Sequence, residues 1–170
     1  MKTKNLILDI NLTPKIAVLF SMLEETRNRL LKEIEGLTQE QLDFSPDINK
    51  IETIGTLLYH IEAVEYSWIF EDIYKQEMPY EEWKYAFALR SKLDPPQLTG
   101  RPLETYVANL KRLRKNFFNE MQKLTDEDLN TLISSDKYNV TISWILYHLN
   151  QHESAHIGQI NLLKRLYNLQ

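Results

Sequence analysis

Cysteine is missing from the 170 residues. That removes a disulfide framework, a thiolate zinc or iron–sulfur site, and any thiol nucleophile of the chain's own. It fits a cytoplasmic protein without requiring one, and cytoplasmic is the location expected. Glycine and proline are scarce, at 4 and 6 residues. Every proline falls at the edge of, or between, long stretches of helical periodicity, which predicts an all-α chain. No run of ~18 apolar residues occurs, so no membrane span is expected. Lys2 and Lys4 precede Leu6–Leu8, but Asp9 and Asn11 cut that stretch too short for a signal-peptide core. One-sided charge is lacking too: 20 Lys+Arg against 24 Asp+Glu leave a net charge of −4. Such a balance builds no field for nucleic acid or anionic lipid. The one basic cluster, Lys111-Arg112-Leu113-Arg114-Lys115, reads mostly as a solvated helix face. Neither nucleic acid nor membrane is expected as a partner.

What is present is helical pattern. The length predicts one domain over residues 1–170. A chain of this size buries its own core, so any metal it holds is functional rather than structural. Four core helices are expected at about residues 14–35, 53–75, 102–124 and 142–167. Thr13 and Pro14 suit the opening of the first, and Gly36 its end. Short additional helices are expected in the connections, one at Thr38–Leu42 with a Thr38/Gln41 capping box, another within Glu81–Leu89. The inner face of the fourth helix reads as Ile145, Leu146, Leu149, His152, His156, Gln159, Leu163 and Leu166.

The chain also echoes itself. Leu37-Thr-Gln-Glu-Gln-Leu42 returns as Leu124-Thr-Asp-Glu-Asp-Leu129, and Thr53-Ile-Gly-Thr-Leu-Leu-Tyr-His60 as Thr141-Ile-Ser-Trp-Ile-Leu-Tyr-His148. Two matches at nearly one offset suggest a duplicated helix–turn–helix unit. One bundle with that symmetry runs up-down-down-up, and the long connection after the second helix can return the chain for a parallel third.

His60, His148, His152 and His156 are all the histidines. On a helix, residues four apart stack within ~40° of one another. His152 and His156 lie on the apolar stripe of helix four, and His60 on that of helix two. An unpaired polar group in such a seam costs ~1–3 kcal/mol. A divalent cation would satisfy three imidazoles at once and leave a position open for water or substrate. His148 sits one turn off the pair and ranks as a neighbour. Gln159 reaches the same face and is the candidate to orient a ligand or a bound water. Glu153 is expected at solvent or a helix edge, Glu62 and Glu65 outward, and no general base is assigned.

These residues resemble a known family. Leu37–Leu42, the segment Thr53–Ile61, and above all His152-Glu-Ser-Ala-His156-Ile-Gly-Gln-Ile160 are similar to the DinB/YfiT-like superfamily of metal-binding helical bundles. The resemblance implies an up-down-down-up four-helix bundle, often a homodimer, with His60, His152 and His156 as the metal triad and His148 outside it. Some members of that family are transferases of low-molecular-weight thiols. An all-imidazole site suits Zn²⁺ or Ni²⁺ first, with Co²⁺ and Fe²⁺ next. The expected function is therefore a metal-dependent enzyme acting on a small-molecule substrate, a thiol S-transferase or a related transferase or hydrolase. The alternative is a non-catalytic, dimeric module that binds metal or ligand.

Overall fold

A computed structural model describes residues 5–48, 50–90 and 98–169. Pro95 and Pro96, like Lys2 and Lys4, lie outside the described residues. Helix α1 is Pro14–Ile34, α2 Gln39–Asp43, α3 Ile54–Tyr66, α4 Tyr80–Trp83, α5 Leu103–Met121 and α6 Ile142–Tyr167. The second expected rod is continuous, but its far end, Ser67–Ile73, is wound as a π-helix. The third stops at Met121, short of the expected Leu124. A 3₁₀ turn, Lys84–Arg90, follows α4. No helix among the described residues is long and apolar enough to cross a membrane.

Contacts between named pairs give the directions. Thr26, Arg27 and Glu33 of α1 meet Asn150, Glu153 and Lys164 of α6 in ascending order, so these helices are parallel. Glu62 and Glu65 of α3 meet Asn109 and Arg114 of α5, also in ascending order. Leu23 and Arg27 of α1 meet Arg114 and Leu110 of α5 in reverse. The bundle is therefore up-down-down-up, with α3 antiparallel to α6.

Capping follows the repeat. Thr53 and Thr141 open α3 and α6, each hydroxyl accepting the N–H three residues on, at 3.0 and 3.3 Å. Thr38 and Gln41 form their capping box. Thr13 departs from expectation. Its hydroxyl caps nothing in α1 and instead donates to Asp126 Oδ1 at 2.6 Å. Asp126 is the true cap, accepting the N–H groups of Lys15 and Ile16 at 3.0 and 3.3 Å. The Thr13 bond, then those N–H groups, hold its carboxyl below the usual range. Asp126→Ala should lower Tm by roughly a few degrees, read by thermal denaturation. An unchanged Tm would mean the helix end does not need it.

Two apolar clusters fill the bundle. One gathers Ile16, Phe20, Leu23, Phe117, Ile145 and Leu149. The other gathers Leu30, Ile34, Leu57, Leu110, Ile157 and Ile160. Near the junction of the two clusters each main helix places a buried charge that joins one network: Arg27, Glu65, Arg114 and Glu153. Arg27 pairs with Glu65 at 2.7 Å and Glu153 at 2.6 Å; Arg114 pairs with the same two at 2.7 and 3.2 Å. Arg27 also donates to the Leu110 carbonyl and Arg114 to that of Leu23, both at 2.8 Å. Arg27 and Arg114, Leu23 and Leu110, Glu65 and Glu153 are spaced by the offsets of the sequence repeat. The duplication is thus carried into the core as a pseudo-twofold. Glu65 and Glu153, expected at the surface, are buried because each meets two guanidinium groups. Arg114 leaves the basic cluster for the same reason, while Lys111, Arg112 and Lys115 are exposed as expected.

A small antiparallel hairpin, β1 Leu132–Ser134 with β2 Asn139–Thr141, pairs Leu132 with Thr141 and Ile133 with Val140 just before α6. Three-residue strands alternate too briefly to be seen in sequence. Only Ile133 buries its side chain.

Candidate metal centre

His60 projects from α3, and His152 and His156 from α6. They meet where α3 packs against α6. His60 is buried, and the other two are half-buried at the edge of the bundle. The Nε2 atoms of His60 and His152 are 3.0 Å apart, and those of His152 and His156 likewise. Ligand atoms of all three lie within 4.8 Å of one another.

The outer nitrogens decide what the inner ones carry. His60 Nδ1 lies 2.6 Å from the carbonyl of Ala86, which only accepts, so the ring proton is on Nδ1. His156 Nδ1 donates to Gln159 Oε1 at 2.5 Å. Both neutral rings then present bare lone pairs at Nε2, facing His152 Nε2. One imidazole proton cannot satisfy two such neighbours, whereas a cation satisfies all three. Two nitrogens held tetrahedrally at ~2.1 Å from one zinc ion stand ~3.4 Å apart, so shifts of about a few tenths of an ångström would seat these rings on one ion. The donor set therefore fits a divalent metal. Burial, chiefly, pushes His156 below the ordinary histidine pKa, which favours the neutral ligating form.

A pocket of about 240 Å³ opens on the cluster, lined also by Glu52, Leu57, Leu89 and Gln159. A larger groove of about 780 Å³ lies between α1 and α5 and touches none of the histidines. The smaller pocket is the one that the three histidines line. Gln159 is exposed rather than part of the inner face, and it orients His156. The inner face of α6 runs instead through Leu149, Glu153, Ile157 and Ile160, which leaves the histidines at its edge, beside the pocket. His148 stands outside the cluster, stacked on Trp144 at 4.9 Å with its ring 5.9 Å from that of His152. Nothing in the sequence signals the Ala86 carbonyl, because a backbone group from a connection has no residue signature.

Glu62 faces inward, contrary to expectation, and is fully buried. Asn109 donates to its Oε2 at 3.3 Å, and Oε1 has no partner. Burial pushes its carboxyl up to about 8, against the smaller opposing pull of Arg101 and Asn109.

The sequence pattern of the DinB superfamily matches residues 22–160. The chain belongs to the DinB superfamily. That span includes His60, His152, His156 and the four charges of the buried network, Arg27, Glu65, Arg114 and Glu153. This DinB-superfamily chain is 23% identical over 164 residues to the uncharacterized protein YkkA of Bacillus subtilis (strain 168), covering 95% of this chain and 93% of that protein. It is also similar to the crystal structure of a conserved protein from Enterococcus faecalis, with a TM-score of 0.66 at 14% identity. That likeness covers 90% of this chain and 96% of the other, and it shows the fold alone.

Proposed function

We propose that this DinB-superfamily protein is a metal-dependent enzyme whose His60, His152 and His156 hold one divalent ion, Zn²⁺ or Ni²⁺ first. The observation that carries the reading is the convergence of three Nε2 atoms, two of them with their ring protons already committed outward. When bound, such an ion supplies Lewis acidity that lowers the pKa of a thiol or water. The chain's own residues do the rest. Ala86 and Gln159 fix two rings in the ligating tautomer. Leu57 and Leu89 give the pocket an apolar wall that limits water. Glu52 is the one carboxylate lining this pocket among the described residues, and it takes the role of proton acceptor. With no cysteine in the chain, a thiolate must enter with a low-molecular-weight thiol as substrate. In the reaction proposed the thiol gives its proton to Glu52, and its sulfur bonds the carbon of a small electrophile. The group displaced from that carbon leaves with the proton from Glu52; hydrolysis, with water in place of the thiol, is the related outcome. A homodimer is the assembly proposed, supported by exposed Ile7, Ile10, Val18 and Met22.

Metal analysis of the purified protein should find about one divalent ion per chain. His152→Ala should lose that ion and any turnover of thiol plus electrophile, with far-UV circular dichroism unchanged. A wild-type protein that folds and takes up no divalent metal would overturn the proposal. Metal uptake without turnover of any thiol or water would leave a binding module instead.

A further inference from the structure

A second cleft, of about 310 Å³, lies where α3 faces α5 and α4, and it includes none of the histidines. Its lining includes Glu62, Tyr66, Phe70, Trp83, Asn109 and Arg112. Two of these carry unmet hydrogen-bonding groups in a buried setting. Glu62 Oε1 and Trp83 Nε1 have no partner, and the two residues are 0% and 5% exposed. Buried polar atoms are nearly always paired, so two orphans on one cleft need an account. With Glu62 ionised they are complementary: its oxygen accepts and the indole N–H donates.

The repeat shows why Glu62 is left over. Its counterpart in α6 is Asn150, which takes the hydroxyl of Thr26 at 2.6 Å. The counterpart of Thr26 in α5 is Leu113, an apolar side chain on the cleft. Asn109 serves Oε2, and the nearby Arg101 and Arg112 guanidinium groups act on the carboxyl through their charge without bonding Oε1. The aromatic wall adds a preference. Tyr66 lies 6.0 Å from Trp83 and 5.1 Å from Phe70, ring centre to ring centre. Aromatic rings around a carboxylate favour a cation over a neutral donor. The volume stands at the small end for ligand sites.

We propose that this cleft is a second small-molecule site, one that takes an organic ammonium carrying a hydrogen-bond acceptor beside its amine. Glu62 Oε1 receives the N–H, and the indole N–H of Trp83 meets the acceptor. The proposal stands apart from the metal centre and does not depend on it.

Ethanolamine is the probe, titrated into the full chain with and without Zn²⁺ and followed by nitrogen–proton correlation spectra. One indole N–H resonance, assigned to Trp83 by its loss in Trp83→Phe, should move saturably, with Kd about millimolar for so small a probe. Glu62→Gln keeps the shape and should weaken binding at least about tenfold. Ethylene glycol, lacking the charge, should leave the resonance in place. Four results would overturn the proposal. The Trp83 resonance stays still, as it does if ordered water already satisfies both groups. Glu62→Gln binds as tightly as the wild type. Tetramethylammonium, with no N–H, binds as well as ethanolamine. Or the shift appears only with Zn²⁺ and vanishes in His156→Ala, which assigns the amine to the metal.

Discussion

Arg114→Met should cost about 3–5 kcal/mol of folding stability, the usual result of breaking a buried ion pair from one side. Against a typical total of ~5–15 kcal/mol, that is a large share. The cause is arithmetic at the waist of the bundle. Two arginines and two glutamates balance there, and each arginine bonds both carboxylates. Removing one cation leaves two buried carboxylates sharing Arg27. Arg114→Met combined with Glu65→Gln restores the balance and should be less destabilising than Arg114→Met alone. Urea denaturation of the wild type, of Arg114→Met and Glu65→Gln singly, and of the double variant measures both, and additive losses would show that the four groups do not act as a unit. Acid should act on the same waist. Burial alone would raise the pKa of Glu65, but Arg114 and Arg27 outweigh it and hold the carboxyl below its ordinary value. An unfolded glutamate titrates near ~4.3. The stability Glu65 contributes is therefore present above that value and lost as pH falls through the lower folded one. Wild-type stability should drop in that acid window, and the Arg114→Met, Glu65→Gln protein should drop less.

Loading the histidine cluster with Zn²⁺ should raise Tm by roughly 10 °C. A free ion at ~1,000 times its Kd adds ~4 kcal/mol, and ~2–4 °C per kcal/mol is usual at this chain length. A chelator should reverse the rise. His156→Ala should abolish it. Gln159→Ala, which frees the ring that Gln159 orients, should weaken metal affinity by about 10–100-fold while leaving the metal-free Tm unchanged. A wild-type Tm that ignores Zn²⁺ would mean the three rings hold no ion.

Much of this was open to reading in the chain. Sparse glycine and proline, long apolar stripes and threonine caps mark the four rods, because each signal acts within a few residues. The triad is legible for the same reason: His152 and His156 share a helix face, and the motif around them is similar to the superfamily's. What stays hidden is decided between rods. Glu65 and Glu153 look like surface glutamates until Arg27 and Arg114 are brought beside them. The signal was nevertheless present, since the offset that aligns Thr53 with Thr141 also aligns those glutamates and, within one residue, those arginines. Asp126 as the cap of α1 has no such trace, because it comes from the far end of the chain.

The same offset carries His60 onto His148, His152 onto Val64 and His156 onto Trp68. The ring of Trp68 meets that of His148 at 5.4 Å, as His156 meets His60 at 5.0 Å. One end of the pseudo-axis gathers imidazoles where its mirror position stacks indole. A nearly symmetric frame thus carries two unlike ends, and among the described residues only one of them draws three imidazoles together.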